Sequence, residues 1–438
     1  VTAVRTAFRV TATVLLFLVA AVALPAGVAA VSVPAAFDAL TDPRTDGVAP
    51  PPAPVTHDPD KPTAVVVVGS EGAVVSDTLA PYEILATTGA FNVYTVGPDT
   101  HPVPLTGGLD LVADLDFAGL ARLLDGAAAD VVVVPAMPNL GEDSIRPVTD
   151  WLRLQAAGGA LMLGVCNGSG VLAAAGLLDG RDATAHWYRI DEFDDDYAAV
   201  SWNRGTRYVD DGDIVTTAGI LSGIDGTLRV VERLVGPDAA ARTATAVGWR
   251  HYSAGTPASM ALSSFTAADT VVMLNTSFRW DADTVGVLLT GGVGEIELAS
   301  VFDTHGQSLA TRTLAVGADV TPVRSRHGLT FVPRADPAAV AGDLDRLLVP
   351  GADAAARQAA AGLFGPEPVY VHSGPGFPFD EVLLDLARTT DTATARWTAK
   401  TLEYPTDHLT LTGPSWPWSL TLRPIGLAIV GLLIAFGV

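Results

Sequence analysis

The stretch Leu161-Met162-Leu163-Gly164-Val165-Cys166-Asn167-Gly168-Ser169-Gly170 decides how this chain is read. A short apolar run enters it, a helical pattern leaves it, and glycines stand two places before and two places after Cys166. Glycine at those places lets the backbone turn sharply from strand to helix, so the central side chain projects at the carboxyl end of a sheet. The motif is a nucleophile elbow with cysteine in place of serine. Its side chain should sit over the next helix's N-terminus, where unpaired N–H groups and the helix dipole favour thiolate. The competing reading is a small buried cysteine in an apolar strand.

Outward from the elbow, apolar runs alternate with helical patterns. Strands are predicted at 64–69, 130–134, 160–165 and 213–217, with helices over 117–124, 145–157, 170–175 and 226–234. Continuous apolar strands between helices mark a parallel sheet covered on both faces, so residues 63–240 read as a doubly wound α/β domain.

At an offset of 220 without a gap, Val65, Gly72, Val96, Gly97, Asp99, Gly108, Leu109 and Asp116 recur as Val285, Gly292, Val316, Gly317, Asp319, Gly328, Leu329 and Asp336. Register kept over some fifty residues points to an internal duplication. A second parallel-sheet domain is therefore expected over 283–405, shorter after its third strand at 346–349. Residues 241–282 form a connector whose apolar run 271–274 has no firm assignment. The second copy keeps an acid, Glu297, at the place matching Asp77 but has no cysteine. Its nearest elbow-like run, Val371-His372-Ser373-Gly374-Pro375-Gly376, lacks the upstream glycine and carries a proline, so this copy reads as inert.

Both termini are apolar. No charge falls between Val10 and Phe37, and Arg5 and Arg9 precede that run. Segment 1–37 is thus a signal anchor or a cleaved signal peptide, with the rest of the chain outside the cytoplasm. A Pro-rich linker at 38–62 should form a semi-extended stalk. Segment 416–438 is a second hydrophobic stretch. It crosses a bilayer if Arg423 snorkels and Trp416 and Trp418 sit in the interface; otherwise it is an apolar tail packed on the protein.

The composition agrees. Of 438 residues, 49% are hydrophobic and 17% charged, which excludes a disordered chain. The net charge of −22 argues against nucleic-acid binding, which needs clustered Lys and Arg. With Cys166 the only cysteine, neither an intrachain disulfide nor a multi-cysteine zinc site can form. The histidines show no ligand spacing, and the acidic runs 191–196 and 210–213 lack that of an EF-hand loop, so no metal and no cofactor are expected.

Gly164-Val165-Cys166-Asn167-Gly168, Ala173 through Arg181, Ala183-Thr184-Ala185-His186-Trp187, Asp213 through Ile220 and Gly223-Ile224-Asp225 resemble the ThiJ/PfpI superfamily of the class I glutamine amidotransferase-like fold. The similar branch includes isonitrile hydratases and the amidase-like domains of AraC-type regulators. The resemblance covers about 63–236 and implies a flavodoxin-like sandwich with a reactive cysteine at the elbow. It matches Asp77 to the family's acid beside the cysteine, where it would handle a proton or, alternatively, N-cap the following helix. Glu83 is a second carboxylate candidate, the alternative being a partly exposed helix residue. His186 matches the family's histidine after the elbow helix, as base, substrate-orienting group or packing residue. Two departures weaken a protease reading: Asn167 stands where PfpI-type proteases have histidine, and Pro135-Ala136-Met137-Pro138 replaces a glycine pair, leaving the Ala136 and Asn167 N–H groups for an oxyanion.

The expectation is a membrane-tethered, extracytoplasmic protein with two flavodoxin-like domains in tandem, the inert copy packing on the first as an internal pseudo-dimer partner. Cys166 would be the nucleophile of a hydrolase or lyase acting on a small amide, nitrile-like or carbonyl compound, with Asp77 and His186 in support. The alternative is a non-enzymatic module that senses an oxidant or a ligand in the same pocket.

Overall fold

The computed structural model describes residues 2–41, 50–255, 259–363 and 365–437. Valine-rich runs dictate its centre. Thr63–Val67 and Val131–Val134 are buried along their whole length and lie side by side in a seven-stranded sheet. The strand order is Tyr208–Asp211, Ile214–Thr217, Leu161–Gly164, Val131–Val134, Thr63–Val67, Asn92–Gly97, Leu115–Asp116, parallel except for the first edge strand. Side chains alternate between the faces. Val65, Val67, Val132 and Val134 pack with Trp151, Val171 and Leu172 on one side. Ala64, Val66, Val131 and Val133 pack with Leu79, Ile84 and Leu228 on the other. Each fully buried valine contributes about 1.5–3 kcal/mol, which fixes this register against slippage.

The second half has a four-stranded parallel sheet in the order Thr311–Gly317, Asp283–Leu289, Arg346–Val349, Pro368–Tyr370. The helices Val75–Thr87 and Glu295–Ser308 pack on each other, each beginning at the same place relative to the 220-residue offset. One core runs through both halves, with Val285, Phe302 and Phe379 continuous with Ile84 and Leu228. A hairpin from each half joins an antiparallel sheet in the order Val323–Arg324, Thr330–Val332, Leu109–Val112, Val103–Leu105. There Leu111 pairs with Phe331, its own counterpart at the offset, so a local two-fold passes between them.

Two helices are long and apolar enough to cross a membrane, over Thr11–Leu40 and Trp418–Phe436. They lie together: Phe17 and Phe436 stack at 4.4 Å, and Gly431 is so close to Ala20 that a Cβ there would sit 2.0 Å from its carbonyl oxygen. Leu15, Leu18, Val22, Ile429 and Leu433 face outward. The helix Thr2–Thr41 is about 60 Å long, twice a hydrocarbon core, and its end rests on the globular body where Leu40 O accepts from Gly107 N–H at 2.9 Å.

Several boundaries differ from the sequence expectation. Residues 38–41 continue the first helix, and 42–49 of the linker lie outside the described residues. The rest of the linker is no free stalk: Tyr94 Oη donates to Thr56 O at 2.7 Å, and Asp58 N–H donates to Asn92 Oδ1 at 2.9 Å. A boundary at 240 would cut the helix Pro237–Ala246, and 271–274 belong to the helix Ala267–Thr276, started by a Thr266/Asp269 capping box. Arg423, at the start of the last helix, pairs with Asp281 at 2.5 Å and lies over Trp280. The acidic runs carry arginine partners, among them Arg204 on Asp191 and Asp194, and Arg229 and Arg233 on Asp210.

Candidate active site

Cys166 follows the strand Leu161–Gly164 with φ of +57°, the left-handed conformation an elbow demands, at a cost of about 1–2 kcal/mol for a residue with a Cβ. The flanking glycines are steric necessities. A Cβ on Gly168 would lie 1.9 Å from Val134 O, and one on Gly164 would lie 2.8 Å from Leu172 Cδ1. The next helix, Gly168–Ala174, starts at once, and Cys166 N–H donates to Thr217 Oγ1 at 3.2 Å.

The cysteine is only 3% exposed, and its surroundings overturn the expected thiolate. Burial pushes the thiol well above its ordinary pKa; the Asp77 carboxyl adds to this, as do Glu403 and Asp303. A hydrogen bond from Asn167 N–H to the sulfur works the other way. A helix of seven residues cannot offset burial beside three carboxyl groups, so the resting group is the protonated thiol.

Asp77 is the third residue of the helix Val75–Thr87 and therefore not its N-cap, which is Val74. It is fully buried. Burial first, and Asp303 second, raise its carboxyl well above the usual range, while Ala136 N–H, donating to Oδ2 at 3.1 Å, and the Cys166 thiol lower it. Oδ1 meets no partner at full hydrogen-bond geometry, so the contact with the thiol is loose. Asp77 and Cys166 thus form an acid–thiol pair in which the carboxyl disfavours ionisation of the thiol, while burial keeps the acid's own pKa high despite the thiol's hydrogen bond. The Ala136 N–H is committed to Asp77 rather than free for an oxyanion; the Asn167 N–H points to sulfur.

His186 takes the packing role, and Glu83 joins a cluster of its own. His186 Nε2 donates to Thr401 O of the second half at 2.8 Å, and burial lowers its pKa, so it is a neutral clasp between halves whose Nε2 proton is already engaged. Glu83 is buried, not a half-exposed helix residue. Its Oε2 accepts from Ile296 N–H at 2.6 Å, and Arg326 reaches Oε1 at 3.3 Å. Burial and then Glu295 raise its pKa. Glu83, Glu295 and His327 come within 4.8 Å of one another, a grouping that could hold a metal ion and that no sequence spacing reveals. Their ligand atoms are already engaged: Glu295 accepts from Ser325, from His327 N–H and at His327 Nδ1.

Two residues that sequence reading missed complete the site, both from the second half. Asp303 Oδ2 accepts from Ser76 N–H at 3.1 Å, and burial raises its pKa to about 6. Glu403 Oε2 accepts from Gly219 N–H at 2.5 Å and from Ser222 Oγ at 2.8 Å. A signal for Asp303 was present, since the 220-residue offset makes it the counterpart of Glu83. None existed for Glu403.

In the second half His372 follows its strand as Cys166 follows Leu161–Gly164, two residues beyond Tyr370. Gly351 N–H donates to His372 Nδ1 at 2.9 Å, so the neutral ring carries its proton on Nε2 and gives it to Ser300 Oγ at 3.0 Å. Ser300 in turn donates to Glu297 O. The imidazole is a donor to that serine, not a base for it, and no activated nucleophile results.

Residues 63–233 match the DJ-1/PfpI family. Isonitrile hydratase of Pseudomonas putida is 36% identical over 167 residues, covering 37% of this chain and 68% of that protein. The chain belongs to the DJ-1/PfpI family. Among its DJ-1/PfpI relatives is the HTH-type transcriptional regulator CdhR of Pseudomonas aeruginosa, 34% identical over 151 residues, with 34% of this chain and 42% of the regulator covered. The crystal structure of a ThiJ/PfpI family protein from Pseudomonas syringae is 25% identical, covers 47% of this chain and 87% of that one, and gives a TM-score of 0.39.

Proposed function

We propose that this DJ-1/PfpI protein is a membrane-tethered hydratase or hydrolase that uses Cys166 on a small electrophile with a carbon–nitrogen multiple bond or an amide. The observation that carries the reading is Cys166 in the left-handed elbow conformation with the buried Asp77 carboxyl beside it. The relationship to isonitrile hydratase supports hydration as the reaction class. Sulfur attacks the electrophilic carbon as the Asp77 carboxyl takes the thiol proton and delivers one to the substrate, to the carbon of an isonitrile or to the nitrogen of a nitrile; with an amide the protonated nitrogen departs as the amine. Water then adds to the carbon, and collapse of the adduct breaks the C–S bond and returns a proton to sulfur. The net change is addition of water, with no oxidation or reduction. Neutral resting forms of both groups suit such a relay, since neither must first lose a proton to bulk water.

The two halves act as an intrachain pseudo-dimer. Support comes from a reciprocal pair of bonds: Ser76 N–H to Asp303 and Ile296 N–H to Glu83 are the same contact made twice across the Leu111–Phe331 two-fold. The paired apolar helices anchor the body at a membrane, and Arg5 and Arg9 before the first span put that body on the extracytoplasmic side.

The test is turnover of a panel of isonitriles, nitriles and amides by the full chain in detergent, with Cys166→Ser and Asp77→Asn beside it. Hydration abolished in Cys166→Ser and cut at least a hundredfold in Asp77→Asn supports the reading; no consumption of any panel member, or turnover that survives Cys166→Ser, overturns it. The sensor alternative is favoured by one observation, the burial and raised pKa of the thiol. It predicts a ligand-dependent change in thermal stability without turnover.

A further inference from the structure

The second half closes over the Cys166 site with one short turn. At the end of the helix Thr392–Thr401, Lys400 O accepts from Trp187 Nε1 at 3.3 Å, Thr401 O from His186, and Leu402 O from Leu221 N–H at 3.1 Å. Glu403 comes next and turns its carboxyl inward to Gly219 and Ser222.

Three features set Glu403 apart from a packing residue. It has φ of +51°, a conformation costly for any residue with a Cβ. It is 7% exposed, and its Oε1 is buried with no hydrogen-bond partner. It also packs beside His186 on the Gly219 turn: a Cβ placed on Gly219 would lie 2.5 Å from both Glu403 Cδ and His186 Cδ2.

The corresponding turn of the first half shows what this place looks like without the acid. After the helix Pro237–Ala246, Gly248 has φ of +74° and its N–H donates to Thr245 O, as Glu403 N–H donates to Lys400 O. Trp249 N–H reaches Ala244 O just as Tyr404 N–H reaches Ala399 O, both at 2.8 Å. Gly248 lies over Gly376 and Phe377 and lines an open cavity of about 380 Å³ beside Glu297 and Arg326. Glycine satisfies the backbone there at no strain. Glutamate in the mirrored position carries both a strained backbone and an unsatisfied buried oxygen.

We propose that Glu403 is a positioning residue of the Cys166 site contributed by the second half, whose free Oε1 holds a protic group, water or a substrate N–H, beside the sulfur. The proposal rests on the reading of Cys166 as the reacting group. The raised pKa of the thiol, to which Glu403 contributes after burial and Asp77, is consistent with it. The other charged or titratable groups around the thiol and the acid are Asp77 from the helix Val75–Thr87, Asp303 from Glu295–Ser308, and His186. The Arg207–Asp225 pair reaches Ser222 from behind, at 3.4 Å.

The test reads the thiol and not turnover, so it stands apart from the proposed hydratase reaction. The full chain, Glu403→Gln and Glu403→Gly are alkylated with neutral iodoacetamide and with anionic iodoacetate across pH 6–10, and adduct at Cys166 is followed by mass spectrometry. Glu403→Gln can still accept from Gly219 and Ser222 but has no charge. Its alkylation midpoint should fall by about one pH unit, and the iodoacetate-to-iodoacetamide rate ratio should rise several-fold. Glu403→Gly, which adopts the backbone of the Gly248 turn, should show the same rise in ratio. A profile and ratio in Glu403→Gln equal to those of the unaltered chain overturn the proposal, because only packing is then left. If Glu403→Gln does not fold, an unchanged ratio in Glu403→Gly overturns it.

Discussion

The carboxyl of Asp303 accepts a hydrogen bond from the backbone N–H of Ser76 at 3.1 Å, one residue before Asp77. A side chain of the second half is thereby fixed at the entrance of the helix that carries the first half's acid. The environment of Cys166 is consequently shared by two segments more than two hundred residues apart in the chain.

Asp303 makes stability depend on pH in a stated direction. Burial raises its carboxyl from 3.8 to about 6, so the folded state binds the proton more tightly than the unfolded chain does. The resulting stabilisation is complete below pH ~4 and is lost as pH rises through about 6, by about 3 kcal/mol. Asp303→Asn keeps an oxygen for Ser76 N–H and has no charge to bury. Unfolding temperatures at pH 4.5 and pH 8 should show the variant gaining on the parent at pH 8. An equal difference at both values would contradict the assigned burial.

The two elbow glycines should differ in tolerance. Gly168→Ala sets a Cβ against the Val134 carbonyl, backbone that cannot step aside, and should leave little folded protein. Gly164→Ala comes nearest to Leu172 Cδ1, a side chain with freedom to move, and meets Ser169 backbone only at 3.2 Å, so it should cost about 1–3 kcal/mol. Soluble yield and thermal unfolding of the pair give the comparison; the reverse order would disprove it.

Arg334 of the second half grips the wholly buried Asp110 of the first through Nε at 2.9 Å and Nη2 at 2.7 Å. Arg334→Ala strands a buried carboxylate and should lower stability by about 3–5 kcal/mol. The double change Asp110→Leu with Arg334→Met removes both charges and should recover most of that loss. Denaturant unfolding of both variants decides whether the penalty comes from the orphaned charge or from the missing contact.

The terminal helices meet at Gly431, where a larger side chain must push Ala20 away. Gly431→Val should part the helices and lower, several-fold, the yield of a disulfide between Phe17→Cys and Phe436→Cys in a Cys166→Ser background. Undiminished cross-linking would show that the close approach at Gly431 does not hold the pair.

The site divides according to how far each interaction reaches along the chain. The elbow was legible because its turn is local: Gly164 answers to Ser169 and Leu172 of the helix that follows and the left-handed Cys166 belongs to the same unit, although Gly168 answers to Val134 of the neighbouring strand. The valine runs fixed the parallel strands for the same reason, as burial on both faces leaves a continuous apolar pattern. The 220-residue offset also marked where the matching helices begin. What the sequence could not state is which half supplies what. His186 belongs to the clasp with Thr401, Glu83 to the contact with Ile296, and Asp303 and Glu403 to the cysteine, because only the packing of two helix pairs across a two-fold brings them together. Protonation was decided at the same level. A helix N-terminus beside a thiol favours thiolate when water is near; burial under the second half, with three carboxyl groups and no compensating cation among the causes of the shift, makes the neutral thiol the stable form.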